Sequence, residues 1–486
     1  MPNNGLLFQA FEWYLSDDGG YYKDMLLKLD ELSEMGVTAI WLPPVYKATG
    51  TNDPGFGTYD LFDLGEFDQK GNIRTKYGTK EELTNLISEI HKRKMKVYAD
   101  VVLNHKAGAD RAEKFMAVMV DENDRTSDIG EPKEIEAWTG FDFPGRDNQY
   151  SNFKWNYNHF SGVDYDNLSQ SKGIYKIIGE NKGWSLGVSD ELGNYDYLMF
   201  SNIDLAHPDV KRELKYWATW FIEELNLDGF RMDALKHMDD VFVDELFSYI
   251  RDAKGEDFYI LGEYWTQDHE AIVNFLDNVN YKSDLFDVGL HFNLYNASTT
   301  GTDYDLRQIF DNTLVNSHPQ LAVTFVDNHD SQPGESLESF IEDWSKEIAY
   351  GIILLRKDGY PCVFYGDFYG TGGKYSQPGF KEQIETLAKI RKNFAYGDQD
   401  DYFDSASSIG WVRHGDENHP YKCAVIISTG DMTTINMFVG EEQSGKVYAD
   451  YTGNNDGRVN IDDEGFGAFA VSPGSISVWI EDGIEL

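Results

Sequence analysis

At 486 residues the chain exceeds one ordinary domain, and 41% hydrophobic with 15% aromatic content can build a large core, so a small single module is excluded. Its 84 acidic residues against 42 basic ones give a formal charge of −42, which argues against nucleic acid and anionic membranes as partners and favours a neutral or cationic ligand such as a sugar polymer. The acidity reads as a solvated surface that keeps the protein soluble, with adaptation to salt as the alternative.

Cys362 and Cys423 are the only cysteines and fall in different predicted domains, so no disulfide framework is expected. Met1-Pro2-Asn3-Asn4 leads into an apolar run at Leu6 with no basic segment, long apolar stretch or cleavage site, which predicts a cytoplasmic protein; the alternative is a secreted one that has lost its signal peptide. No window has the ~20 apolar residues of a membrane span.

In chain order, short apolar runs predict strands at 6–11, 37–42, 97–103, 229–233, 258–263, 285–290, 321–326 and 362–365. Between them lie helical stripes, such as Met25, Leu26, Leu29, Leu32 and Met35, then Val210, Leu214, Trp217, Phe221 and Leu225. Strands alternating with helices imply a parallel sheet, and eight such units a closed (β/α)8 TIM barrel. The alternation fails between Asn104 and His207, too long a stretch for a loop, so an inserted domain is expected after strand three. From about Tyr396 short β-type runs at 423–428, 434–439 and 475–480 alternate with Gly- and Asp-rich turns, predicting a C-terminal antiparallel β-sandwich domain. The expected division is 1–103 with 207–395 for the barrel, 104–206 for the insertion and 396–486 for the C-terminal domain.

Three strand-end motifs run from apolar residues into acidic ones: Gly229-Phe230-Arg231-Met232-Asp233, Leu261-Gly262-Glu263-Tyr264-Trp265 and Phe325-Val326-Asp327-Asn328-His329-Asp330. Asp233, Glu263 and Asp330 could supply a nucleophile, a proton donor and a substrate-fixing group, the set needed to cleave a glycosidic bond with retention. Arg231 lies two residues before Asp233 on one strand face and should hold it ionised; a plain ion pair capping the strand is the competing reading. Glu263, flanked by Tyr264 and Trp265, is expected to be partly dehydrated and protonated, as a general acid requires. Lys236 and His237 leave the strand where they can reach sugar hydroxyls or a metal. Asn104 offers a calcium-ligand oxygen and His105 a sugar hydrogen bond. Trp13, Tyr14, Tyr59, Trp155, Tyr195 and Trp265 are aromatics near predicted loop tops that could stack on sugar rings, though any single one of them is more often core.

Together these segments resemble the α-amylase family of glycoside hydrolases. Asp100-Val101-Val102-Leu103-Asn104-His105, the segment from Gly229 to His237, the Gly262-Glu263-Tyr264-Trp265 run and the Phe325–Asp330 motif match its four signature regions in order, and the likeness covers nearly the whole chain, most of all with bacterial liquefying and cytoplasmic α-amylases. The resemblance implies endo-hydrolysis of α-1,4-glucan by a monomer, with transglycosylation or maltooligosaccharide formation as the alternative, and a non-catalytic glucan-binding protein as a rival from another class. It implies Asp233 as nucleophile, Glu263 as acid/base and Asp330 as transition-state stabiliser. Tyr59, His105, Arg231 and His329 would line the cleaved-sugar subsite, with Lys236, His237 and Tyr195 on the adjacent side. It also implies a structural calcium held by Asn104, Asp196, residue 202 and the His237 carbonyl. There the chain departs from its liquefying relatives: Asn202, Ser161 and Ser185 stand where those carry Asp. Calcium affinity follows ligand charge, so at most one, weaker, site is expected.

Overall fold

The computed structural model describes residues 4–486; Met1, Pro2 and Asn3 of the amino-terminal segment read above lie outside the described residues. Eight parallel strands close a barrel: Leu7–Gln9, Ala39–Leu42, Lys96–Val101, Gly229–Met232, Tyr259–Gly262, Asp284–Phe286, Ala322–Phe325 and Tyr360–Phe364. The first is hydrogen-bonded to both the second and the eighth, with Leu7 opposite Ala39 and Cys362. All eight expected strands are present, because each short apolar run is bounded by the turn and cap residues of the helix beside it.

The helices show why. In Pro208–Leu225 the stripe Val210, Leu214, Trp217, Phe221 and Leu225 is buried, Pro208 sits in the first turn where its missing N–H is harmless, and His207 caps by accepting from the Asp209 N–H. Lys80–Lys92 starts with a reciprocal capping box between Thr79 and Glu82. Two expectations change. The stripe from Met25 to Met35 is carried by two short helices, Tyr21–Leu26 and Leu29–Glu34, with Leu26 only half-buried. The apolar run 285–290 is a strand only to Phe286. Asp287 then accepts the Leu290 N–H and starts the helix Val288–Thr300, a break that continuous apolarity conceals.

Between the third strand and the helix at Pro208 lies a separate six-stranded sheet, ordered His105–Lys106, Ser201–Ile203, Phe160–Asp166, Ser171–Ile177, Arg111–Val120 and Asp128–Gly140. Its edge strand begins two residues after Leu103, so the insertion is fastened directly to the mouth of the barrel. The C-terminal region stacks a six-stranded sheet on the antiparallel pair Thr433–Phe438 and Phe466–Val471. Val412, Ala424 and Ile426 of the larger sheet share a core with Met437, Phe469 and Val471 of the smaller, which makes it a sandwich. Gly351 lets the helix Lys346–Leu355 approach this domain: a Cβ there would lie 2.1 Å from Ile476 Cδ1. Cys362 and Cys423 are buried and free. Among the described residues no helix is long and apolar enough to cross a membrane.

Candidate active site

Strand geometry gathers the charged groups at one barrel end. Arg231 points inward from the fourth strand and is fully buried. Its Nη1 donates to both oxygens of Asp100 (2.9 and 3.1 Å) and to Asp233 Oδ1 (2.8 Å), and its Nη2 donates to Glu263 Oε2 (2.6 Å). Trp41 Nε1 also donates to Asp100, and the Ala234 N–H to Glu263. One guanidinium therefore serves carboxylates from three neighbouring strands. Such charge-assisted contacts fix direction as well as energy.

The crowding sets protonation. Burial pushes Glu263 up, opposed by Arg231 and reinforced by the charge of Asp233. Burial also raises Asp233, against Arg231, so the expectation that Arg231 alone would hold it ionised omitted the larger effect. Between the two, the hydrogen bond favours charge on Asp233 and the proton on Glu263. Asp330 is pushed well above the carboxylate range by burial and by Glu263, Asp233 and Asp100. A protonated carboxyl beside an ionised one is the arrangement that divides acid and nucleophile roles.

Asp330 sits in a pinned turn. Asn328 Oδ1 accepts the backbone N–H groups of Asp330 (2.9 Å) and Ser331 (2.8 Å), and Ser331 Oγ donates to Asp327 (2.8 Å). Lys346, wholly buried, joins Asp327 to Asp367. His329 is kept neutral by burial and by Arg231. Gln9 Nε2 contacts its Nδ1 at 3.0 Å, which leaves Nε2 as the N–H, 3.4 Å from Asp330 Oδ2 and without a hydrogen-bond partner. An unspent buried donor at this spot suits a sugar hydroxyl.

The remaining expected residues fall into two groups. Trp13 and Tyr14 follow the first strand, Lys236 and His237 the fourth and Trp265 the fifth, while Tyr195 precedes the strand Ser201–Ile203 of the inserted sheet. Trp13 stacks on His329 (centroids 5.9 Å, 16°). Lys236 Nζ bonds Glu191 (2.7 Å) and the Trp265 carbonyl (3.0 Å) and lies 5.0 Å from the Tyr195 ring centroid, while His237 Nδ1 donates to the Tyr195 carbonyl (2.8 Å). Tyr59 and His105 are placed differently from expectation. Tyr59 is 1% exposed, its hydroxyl held by both oxygens of Asp110 (2.8 and 2.9 Å) and its ring under Lys70 (3.9 Å), so it presents no face to a ligand. Phe56 is the ring that packs with the others of this wall, Trp13 (5.5 Å, 13°) and His329 (5.0 Å, 17°). His105 is buried, with Nε2 spent on the Phe56 carbonyl (2.9 Å); its contact with this ring's backbone replaces the free donor expected of it. Trp155 is core.

Sequence reasoning missed Phe56, Asp100, Glu12 and Gln332. Buried Glu12 accepts from the Tyr14 N–H (2.8 Å), Gln332 Nε2 (3.1 Å) and the Gly372 N–H (3.3 Å), while Gln332 Oε1 accepts from the Trp13 N–H (3.2 Å). These contacts tie the loops after strands one, seven and eight. The only signal in the sequence was Phe56 set between Gly55 and Gly57, and an acid inside an aromatic run at Glu12.

Of the four groups expected to hold calcium, the side chains of Asn104, Asp196 and Asn202 lie within one hydrogen-bonded cluster. Asn202 Nδ2 donates to Asp196 Oδ1 (3.2 Å) and Ser161 Oγ (2.9 Å), Asn104 Nδ2 to Asn202 Oδ1 (3.3 Å), and the Ser185 N–H to Asp196 Oδ2 (3.1 Å). Asp196 is the one carboxylate of this group, and burial pushes it up to about 7. A single buried carboxylate with amide oxygens fits one hard cation weakly and a multi-metal cluster not at all. His159, His207 and Asp209 also converge, but each imidazole Nδ1 accepts a backbone N–H, from Asn156 (3.1 Å) and Asp209 (3.2 Å). That fixes the proton on Nε2, the nitrogen a metal would need bare.

Comparison with known proteins agrees with this geometry. Residues 9–408 match the family model "Alpha amylase, catalytic domain" and residues 433–480 "Alpha-amylase C-terminal". The chain is 47% identical to an α-amylase of Bacillus licheniformis (98% of this chain, 94% of that one) and 46% to a glucan 1,4-alpha-maltohexaosidase of Bacillus sp. strain 707 (98% and 92%). It is 40% identical to the cytoplasmic α-amylase of Escherichia coli K12 (98% and 99%). Calcium is commonly bound in this family, and with its catalytic domain spanned and its relatives matched almost end to end, the chain belongs to the α-amylase family of enzymes.

Proposed function

We propose that the protein hydrolyses internal α-1,4-glucosidic bonds of starch, glycogen or maltodextrin with retention of configuration. The observation that carries this is Arg231 binding Asp100, Asp233 and Glu263 at once at the mouth of the barrel. The Asp233 carboxylate attacks the anomeric carbon while Glu263 gives its proton to the departing glycosidic oxygen, so the C–O bond breaks as an ester to Asp233 forms. Glu263, now a base, takes a proton from water, whose oxygen displaces Asp233 and releases the sugar. Asp330 and the His329 Nε2–H bind ring hydroxyls of the distorted sugar, contacts that strengthen as positive charge develops. Phe56 and Trp13 flank the sugar, and Lys236, His237 and Tyr195 receive the leaving chain.

The division 1–103 with 207–395, 104–206 and 396–486 serves this reaction by placing the insertion over one side of the barrel mouth. Calcium, where bound, is structural: Asn104, Asp196, Asn202 and the His237 carbonyl would hold one ion at most, fastening insertion to barrel. The substrate is neutral, as the charge of −42 favours, and the working form is a monomer in the cytoplasm, the location in the name of the Escherichia coli relative. The maltohexaosidase among the relatives favours a second reading, release of maltooligosaccharides of preferred length.

The test compares wild type with Glu263→Gln on soluble starch and a maltoheptaose ladder. Wild type should release mixed maltooligosaccharides and the variant should lose roughly 10²–10⁴-fold in rate. Equal reducing-sugar release from both would refute the mechanism, and glucose alone from wild type would make it an exo-enzyme.

A further inference from the structure

The loop after the eighth strand carries Gly372-Gly373-Lys374-Tyr375, and Tyr375 is 49% exposed beside Gly334 of the loop after the seventh. Two glycines in the left-handed region bring it there. At Gly334 (φ +96) a Cβ would stand 2.8 Å from the Tyr375 ring and 3.0 Å from the Tyr14 hydroxyl, and at Gly373 (φ +76) 2.7 Å from the Tyr14 ring. Any side chain at either position would push the three loops apart. Tyr14 and Tyr375 thus meet over Gly334, from loops that follow strands one, eight and seven.

Polar groups fix this pair. The Tyr14 hydroxyl bonds Glu335, which with burial holds it protonated, pushed up to about 12. The Gly334 N–H donates to Glu338 (2.9 Å). Lys374 Nζ lies 4.7 Å from the Tyr375 ring centroid and 2.9 Å from its hydroxyl, ordering an otherwise free side chain. Two tyrosines beside two carboxylates and an ammonium present apolar faces edged with hydrogen-bonding groups, the chemistry that suits a pyranose ring.

Strands eight and one lie across the closed barrel from strands four and five, which bring Lys236 and Glu263. A proton donor sits on the leaving-group side, so the opposite wall faces the chain that stays attached to Asp233. We propose that Tyr375, with Tyr14, forms an outer sugar-binding platform that engages the retained end of an α-glucan and so sets the preferred product length. The proposal rests on the glucan-hydrolase reading above.

Tyr375→Ala, Tyr375→Phe and Lys374→Ala would be compared with wild type on maltooligosaccharides of three to eight units, with thermal melting to check folding. For Tyr375→Ala, kcat/KM on the longest chains should fall about tenfold, that on the shortest should not change, and the dominant product should shorten. Tyr375→Phe should keep the wild-type pattern, since the ring face is retained, and Lys374→Ala should show a smaller loss of the same kind. No change on long chains, or the same loss at every length, overturns the platform. A wild type that cleaves none of these sugars overturns the underlying reading instead, so the two failures are separate.

Discussion

Around Arg231, Asp100, Asp233 and Glu263 crowd on one guanidinium with Asp330 nearby, whereas around Asn202 a single carboxylate, Asp196, is wrapped by amides, a hydroxyl and a backbone N–H. Both clusters are buried, the first at the ends of three neighbouring barrel strands and the second where Asn104 meets Asn202 of the inserted sheet. In the first, burial and then the crowding of like charges raise the proton affinity of the carboxyls, the direction that acid catalysis needs. In the second, the single carboxylate accepts from an amide and a backbone N–H, so hydrogen bonds hold the junction. Charge is concentrated where chemistry is done and diluted where only structure is required.

The sharpest way to break this contrast is to remove the common cation. Arg231→Met leaves buried carboxylates uncompensated, so kcat/KM on soluble starch should fall by roughly 10³ or more and the melting temperature should drop, because breaking such a network costs about 3–5 kcal/mol. Near-normal activity would show that the guanidinium is incidental.

The next effect is in pH dependence. Glu263 has its affinity for the proton raised by burial and by Asp233, so kcat/KM should decline on the alkaline side as Glu263 loses that proton, at a pH above the ordinary glutamic value. An alkaline limb that survives unchanged in Glu263→Gln would assign it to another group.

At the junction the expected changes are smaller and concern stability. The raised pKa of Asp196 means that its neutral form stabilises the fold; that contribution is complete below about pH 4 and lost as pH rises through about 7. Asp196→Asn should therefore raise stability at pH 8 by about 1–3 kcal/mol, read by denaturant melts in chelator. A loss there would mean that the charge is held by a bound cation. Asn202→Asp restores a second carboxylate and should be less stable in chelator but gain more from added calcium than wild type does; metal analysis after dialysis should find no more than one ion in wild type. Two or more would contradict the diluted-charge reading.

The smallest effect separates Tyr59 from Phe56. Tyr59→Phe breaks only a hydrogen bond to Asp110, about 1 kcal/mol of stability, and should leave KM unchanged, whereas Phe56→Ala should raise KM for maltoheptaose. A reversed outcome would return Tyr59 to the subsite.

The barrel was legible because each of its strands is a short apolar run ending in a turn or cap, and the acids Asp233, Glu263 and Asp330 announced themselves by ending such runs. Phe286 to Leu290 was not, since an Asp that caps a helix can interrupt an apolar stretch without changing its overall character. Tyr59 and Phe56 lie three residues apart, and period or composition cannot tell which ring packs against His329; Asp110, 51 residues away, holds Tyr59 elsewhere by binding its hydroxyl. Glu12 and Gln332 were invisible for the same reason, being joined across 320 residues. Depletion of charge around residue 202 could be read, but the hydrogen bonds that fill it required the fold.

The division of labour between Asp233 and Glu263 is tested most directly by trapping. Wild type would be incubated with a fluorinated maltosyl fluoride, which forms the glycosyl ester quickly and hydrolyses it slowly, then digested and mapped by mass spectrometry. A glycosyl label on the peptide containing Asp233, absent after Asp233→Asn, is the expected result. A label on Glu263 or Asp330, or turnover that inverts the anomeric centre with no label at all, would contradict it.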